Sequence, residues 1–349
     1  MGCCGSKPLI DDNNMFPNDI TQNYNNPNEY FNNEDKLFTE GILGKGKFGI
    51  VYKVKNEKSN KEYASKQITL KNSKNFMSAY REYEILSQCH HPNIISHKQT
   101  FKNHKTETIN IITEFADDGT LLNKINQQKE GNYFKENLLI IWLMQICLGL
   151  SYLDKKNIIH RDIKPENIFL KKNGLIKIGD FGLAKQYKSK EELKKKSSLA
   201  GTLKYMSPEK KKSRIYNEKS DIYSLGLTFS NLLVPNNNYS DEFKSLVFSL
   251  IKSDQENRPS SDEILKNSII KKSMKNFLEE NNYEKSLSYL IMKEIKNNNI
   301  YNEDEENIDD FINHIKEERN RLIKNEFNNE KKSDEDLDIL MCIISKKIN

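Results

Sequence analysis

The chain has 349 residues, 36% of them hydrophobic, and carries 55 Lys and Arg against 50 Asp and Glu, a formal charge of +5. That length accommodates about one to three domains, and a mean hydropathy of −0.79 requires polar segments beside any core. So small a net charge gives no electrostatic case for nucleic-acid binding. The five cysteines, Cys3, Cys4, Cys89, Cys147 and Cys342, are too scattered for a disulfide framework or a zinc site, and they fit a reducing intracellular compartment.

The chain begins MGCCGSKP, where Gly2 and Ser6 match the N-myristoylation pattern and Cys3 and Cys4 are placed for palmitoylation. A single myristoyl chain binds membranes only marginally, with K on the order of 10⁴ M⁻¹, so a second signal is needed. Lys7 is the one basic residue before Lys36, which favours the thioester route over a polybasic one. The expectation is a cytoplasmic protein held peripherally on a membrane by its N-terminal lipid. Residues 8–35 are rich in Asn, Asp and Pro without period and read as a solvated tether.

From Phe38 the pattern changes. GILGKGKFGIVYKV holds Gly44, Gly46 and Gly49, a spacing shared with dinucleotide-binding loops. Those loops run into a helix, whereas Ile50, Val51, Tyr52 and Val54 read as a strand. A glycine-rich hairpin whose backbone amides approach phosphates is the better reading. In KEYASKQITL, Lys66 is a candidate for the phosphates, and Glu82, sixteen residues on in a helical pattern, is its carboxylate partner. INIITEFADDGTLLNKI predicts a buried strand through Ile109, Ile111 and Thr113, then a connector from Glu114 to Ala116 whose backbone reads adenine. Val51, Ala64 and Phe169 are placed either to sandwich the base or to serve as plain core. Residues 138–153 are apolar on all sides but short of the roughly 20 needed to span a bilayer, so a buried helix is expected.

The richest stretch is HRDIKPENIFLKKNGLIKIGDFG, His160 to Gly182. It carries Asp162, Lys164, Asn167 and Asp180 around two apolar runs, with Asn173-Gly174 between them to supply the positive φ angles of a tight hairpin. A hairpin returns the two acidic ends to one place. Two carboxylates, an amide and an amine there suit magnesium, a polyphosphate and an attacking hydroxyl. The lysine-rich stretch LAKQYKSKEELKKKSSLAGTLKYMSPEKKK follows, then an apolar helix with Ser220 and Asp221 at its expected N-cap, and later Arg258 before a proline.

With these motifs in order, residues 36–271 resemble a eukaryotic protein kinase catalytic domain. The resemblance implies an α+β, bilobal fold with a small β-rich N-lobe and a larger α-helical C-lobe, followed here by a helical C-terminal extension over 272–349. It implies ATP and Mg²⁺ as cofactors and protein substrates. It assigns Lys66 and Glu82 to the β3-lysine and helix C pair, although Tyr-Ala-Ser-Lys stands where Val-Ala-Ile-Lys is usual. It assigns Asp162 as catalytic base, Lys164 and Asn167 as its partners, and Asp180 with Asn167 as metal ligands. Glu209 and Arg258 match the ion pair that holds the activation segment, and Asp221 matches the brace of the catalytic loop. Lys164 and GTLKYMSPE resemble the serine/threonine branch. FADDGTLLNKI and HRDIKPENIFL are similar to the NIMA-related kinases, and YMSPE and DIYSLGL equally to the translation-initiation-factor kinases. One departure is that the family has about twenty more residues between Gly226 and Arg258, which shortens or removes a docking helix. Arg161 implies control by activation-segment phosphorylation, with Ser198, or the adjacent Ser197, as the phosphosite. Lys194 to Lys196 suggest acidic substrates. In the tail, stripes such as Tyr283, Leu287, Leu290 and Ile291 suggest helices that either pack on the domain, bind a partner or autoinhibit. A membrane-bound, catalytically weak pseudokinase scaffold is the alternative reading.

Overall fold

The computed structural model describes residues 36–279 apart from 47–48, 71–72, 104–105, 129–132, 190–191, 193–199, 215–216 and 234–238. Gly2, Cys3, Cys4, Lys194 to Lys196, Ser197, Ser198 and the apolar stripes of the tail lie outside the described residues. The chain divides into two units, Met1–Glu294 and Ile295–Asn349, and everything described belongs to the first.

Five antiparallel strands open the fold: β1 (Leu37–Gly46), β2 (Gly49–Asn56), β3 (Glu62–Thr69), β4 (His97–Asn103) and β5 (Thr108–Glu114), in sheet order β1-β2-β3-β5-β4. Successive side chains of a strand face opposite sides, and the sheet uses both. Helix α1 (Ser73–Ser87) lies against one face, where Ile68, Ile109 and Ile111 pack with Ala79, Phe76, Tyr80 and Tyr83. The other face gathers Leu37, Val54, Phe101 and Ile112. Strand β5 is therefore buried on both sides, which is why residues 108–112 form a continuous apolar and small-polar run rather than an alternating one.

The second part is helical around α3 (Glu136–Lys155). At 20 residues α3 is longer than the apolar run 138–153, because Glu136 and Lys155 extend it at the ends their charges favour. By length and composition it could cross a membrane, but 78% of its apolar window is buried inside the protein. Its neighbours are α5 (Glu218–Ser230), α7 (Ser261–Leu265), α8 (Ser268–Glu279) and strand β8. Around it lie α2 (Leu121–Gln127), α4 (Pro208–Ser213), α6 (Asp241–Leu250) and two small sheets. One pairs β6 (Ile158–Ile159) with β9 (Lys185–Gln186), and the other pairs β7 (Ile168–Leu170) with β8 (Ile176–Ile178). This is the α+β, two-lobed architecture expected. Helix α8 runs unbroken through residue 271, where the catalytic domain was expected to end.

Two local expectations are corrected. In the β7–β8 hairpin only Gly174, at φ 86°, takes a positive φ, and Asn173 does not. The Gly174 N–H donates to the Lys171 carbonyl, and the Lys171 N–H to that of Leu175. That is a three-residue loop with a left-handed glycine rather than a two-residue turn, which needs two positive φ angles. Helix α5 starts at Glu218, so its N-cap is Asn217, and Ser220 sits at the third position of a capping box with it. This frees Asp221 for other work. Beyond these, Tyr239 and Ser240 bond to residues at and just before the start of α3. Tyr239 Oη donates to the carbonyls of Phe134 and Leu232, and Ser240 Oγ donates to Glu136.

Helix α5 is pressed on α6, and Gly226 marks the contact. A Cβ there would lie 2.6 Å from Leu250 Cβ and 2.7 Å from Ile251 Cγ2. Gly226→Ala gains helix propensity of about 1 kcal/mol, but overpacking a core contact costs about 1–3 kcal/mol. Overlap dominates because Leu250 is fully buried. Thermal denaturation is expected to show a lower Tm for this variant.

Candidate active site

Register places the nucleotide-side candidates on one surface. Val51 on β2 pairs with Lys66 on β3, and Ala64, two residues from Lys66, pairs with Thr113 on β5. Pairing and two-residue spacing put Val51, Ala64, Lys66 and Thr113 on the same face of the sheet. Gly44, Gly46 and Gly49 form the facing ends of β1 and β2, as a strand–strand hairpin and not a strand–helix turn. Beyond β5 and Ala116, residues 118–120 run alongside β7. There the Asp118 N–H donates to the Leu170 carbonyl and the Leu170 N–H to the Gly119 carbonyl. Phe169 on β7 lies against the backbone of Gly179, where a Cβ would meet its ring at 2.7 Å.

The Glu114 carboxylate faces away from this backbone role. It accepts from the Ser96 N–H at 2.8 Å and pairs with Lys177 at 2.8 Å and Lys171 at 3.5 Å. Burial would raise its carboxyl, yet these lysines and the Ser96 amide hold it below the usual range. Burial pushes the Lys177 ammonium down against the pull of Glu114. The pair joins the end of β5 to β8.

Lys66 is the centre of the site. Its Nζ lies 2.7 Å from Glu82 on α1 and 2.6 Å from Asp180 after β8. Burial alone would lower the lysine, but the two carboxylates raise it, so it remains an ammonium. Glu82 is 3% exposed, and desolvation raises its carboxyl. Asp180 would be raised by burial too, but Lys66 holds it ionised below the ordinary aspartate range. Helix α1 is pinned inward by Ser78, whose hydroxyl donates to the Gly182 carbonyl at 3.2 Å. Asp180 itself has φ 60°, a left-handed backbone that L side chains rarely adopt. Neighbouring bonds fix it: the Ile95 N–H donates to the Ile178 carbonyl, and His160 Nε2 is 3.0 Å from the Gly179 carbonyl oxygen. Phe181 then meets the His160 ring edge-on at 4.8 Å.

The catalytic-loop candidates converge on Asp162. Lys164 Nζ is 2.7 Å from one carboxylate oxygen. Asn167 Nδ2 donates to the Asp162 carbonyl at 2.8 Å and to the same carboxylate oxygen at 3.1 Å. Thr202 donates its N–H and its hydroxyl to the other oxygen, at 2.9 and 2.8 Å. Lys164 also donates to the Thr202 hydroxyl at 2.9 Å. Burial would raise Asp162, but Lys164 and Thr202 hold its carboxyl below the ordinary value. Asp221 accepts from the His160 and Arg161 amides at 2.7 and 2.9 Å, which is the brace expected of it. Glu209 and Arg258 form a two-pronged pair at 2.6 and 2.8 Å, with Arg258 fully buried.

Sequence reasoning missed two contributors. Thr202 was quoted within GTLKYMSPE without a role, because only the tertiary fold brings it to Asp162. Arg81, next to Glu82, is also unassigned. Burial and then the charge of Arg161 push its guanidinium down. A magnesium ion takes few protein oxygens and keeps several waters. The ionised Asp180 and the amide oxygen of Asn167 suit that, and among the described residues no cluster of three or more His, Cys, Asp or Glu competes for a metal.

Comparison with known proteins agrees with this geometry. The protein kinase domain family model matches residues 38–239, more than half of the chain. Serine/threonine-protein kinase Nek1 of Mus musculus is 32% identical over 262 residues, covering 68% of this chain and 21% of the mouse protein. Nek3 of Mus musculus is 38% identical over 185 residues, covering 53% of this chain and 35% of that protein. A putative serine/threonine-protein kinase A of Trypanosoma brucei brucei is 30% identical over 273 residues, covering 70% of this chain and 63% of its own length. The chain thus spans about a fifth to a third of the length of the mouse Nek relatives. It belongs to the protein kinase family, with the NIMA-related kinases among its relatives.

Proposed function

We propose that the chain transfers the γ-phosphoryl group of ATP to serine or threonine hydroxyls of protein substrates with Mg²⁺. The observation that carries this is the Asp162 carboxylate, held by Lys164, Thr202 and Asn167, in the same site as Lys66 paired with Glu82 and Asp180. Phosphoryl transfer needs mainly positioning and charge neutralisation. Magnesium held by Asp180 and Asn167 would neutralise charge on the phosphates. Lys66, fixed by Glu82, contacts the α- and β-phosphates, and Lys164 neutralises charge on the transferring group. Asp162 orients the acceptor hydroxyl and takes its proton as the hydroxyl oxygen bonds to phosphorus and ADP leaves. Among the described residues each of these side chains is present and paired, which supports transfer over the pseudokinase alternative.

Control by activation-segment phosphorylation fits the same site. Arg161 precedes the base, and a phosphate on Ser198 or Ser197 would supply the anionic partner of its guanidinium. Lys194 to Lys196 in that segment favour acidic protein substrates, and Gly2, Cys3 and Cys4 would hold the enzyme at a membrane by lipid.

Three measurements test these readings. With ATP, magnesium and a generic protein substrate, Asp162→Asn is expected to keep ATP affinity within about twofold and lower kcat by about 10²–10⁴, the range of a general base. Turnover like that of the wild type in this variant refutes the assignment. Mass spectrometry of the active enzyme is expected to find phosphate at Ser198 or Ser197, and full activity without it contradicts the control. Gly2→Ala is expected to move the protein from the membrane to the soluble fraction; an unchanged distribution rejects lipidation.

A further inference from the structure

The residue before the catalytic base has an unusual backbone. Arg161 has φ 73°, in the left-handed region that costs a non-glycine residue about 1–2 kcal/mol. Such a conformation persists only where its surroundings over-determine it. The Arg161 N–H is held by Asp221 of α5 at 2.9 Å. Its carbonyl is held from the other side: Lys210 Nζ of α4 donates to it at 2.8 Å. Lys210 is 3% exposed, although it sits in a run of three lysines whose other two members, Lys211 and Lys212, are not buried. An exposed run would be the ordinary fate of such a sequence, so the inward turn of one lysine needs a partner. Here that partner is a catalytic-loop carbonyl.

The same junction receives the end of the activation segment. Gly201 has φ 108°, and a Cβ there would lie 2.6 Å from the Arg161 carbonyl oxygen and 2.9 Å from Lys210 Nζ. Only glycine allows this approach. The next residue, Thr202, makes the two hydrogen bonds to the Asp162 carboxylate. The Lys210 ammonium therefore stands where the backbone that aims Asp162 meets the backbone that presents Thr202.

Resting on the kinase reading above, the geometry points to Lys210 as a positioning residue for phosphoryl transfer, its ammonium clamping the Arg161 carbonyl opposite Asp221 and so fixing the direction of the Asp162 carboxylate. A charged donor makes a hydrogen bond roughly twice as strong as a neutral one, so the clamp weakens when Lys210 loses its proton. Burial and the Arg161 charge lower this ammonium to about 8, against the pull of Asp221 on α5, Asp162 on the catalytic loop and Glu209 on its own helix. The effect on folding has the opposite sign. The folded state binds this proton less tightly than the unfolded one, so stability from Lys210 rises with pH from about 8 toward the model-peptide value of 10.5. A fall in kcat over that range is then not unfolding caused by this group.

The test compares wild type with Lys210→Met in the full chain. It measures kcat and KM for ATP from pH 6.5 to 9.5, and hydrogen exchange at pH 7 in peptides covering 158–163 and 200–204. Wild-type kcat is expected to fall along a limb near pH 8 while KM for ATP moves less than about twofold. Lys210→Met is expected to lower kcat at pH 7 by about tenfold, one charge-assisted hydrogen bond, to lack that limb, and to exchange faster in both peptides. Wild-type kcat in the folded variant, or an unchanged limb, overturns the clamp. If the variant does not fold, the wild-type profile decides alone, and a flat kcat through pH 9.5 overturns it. Wild type without turnover at pH 7 is instead a failure of the kinase reading; the exchange comparison then still decides, and equal exchange overturns the clamp.

Discussion

The arrangement depends on one half-buried ammonium held between two carboxylates. Lys66 comes from the sheet, Glu82 from helix α1 and Asp180 from the turn after β8, so three separate elements must be in place before any of the charges is matched. Burying such charges is costly unless they meet in good geometry. This makes α1 packing and the Asp180 backbone conditions of the site. Apolar contacts of Ala79, Phe76, Tyr80 and Tyr83 supply the first condition, and the β7–β8 hairpin with its bonds to Ile95 and His160 supplies the second. The ionised Asp180 carboxylate at this junction suits a divalent cation, and the cation in turn suits a polyphosphate.

A second junction serves the acceptor side. Asp162 lies beside a residue in a strained backbone, and the bonds that hold that backbone come from α5 and α4. Helix α4 is itself fixed by the Glu209–Arg258 pair, whose arginine is buried and also donates to the carbonyls of Lys252, Lys219 and Ser253. Removing one partner of such a pair costs far more than the pair contributes, because a charge is left buried alone. The helical part thus positions the Asp162 carboxylate, and the sheet positions the Lys66 ammonium. The Glu114–Lys177 pair ties β5 to β8, between the two tasks.

Much of this was legible in the sequence because it rests on residues close together or on fixed spacing. The glycine-rich hairpin, the buried helix α3, the β7–β8 hairpin and the Lys66–Glu82 pair all follow from local pattern. Other features depended on tertiary contact. Thr202 reaches Asp162 across forty positions of sequence, and nothing local marks it. Lys210 reads as one of three surface lysines until the fold turns it inward. Asn217 was passed over as a cap because Ser220 and Asp221 are equally good cap residues three and four positions later. The Glu114 side chain was silent because its partners Lys171 and Lys177 lie far along the chain. Type and spacing located the β7–β8 hairpin and the start of α5 but missed the turn class and the cap residue; where a residue's role is set by what packs on it, the fold had to supply it.

In the proposed function, Lys66, Glu82 and Asp180 together would build a magnesium–nucleotide site. Calorimetric titration of ATP into the full chain, with magnesium and with EDTA, tests it most directly when repeated on Asp180→Asn. The account predicts that magnesium tightens ATP binding to wild type by at least about tenfold, and that the folded variant loses this gain. Equal ATP affinity with and without magnesium in the wild type, or an undiminished magnesium effect in Asp180→Asn, would contradict it.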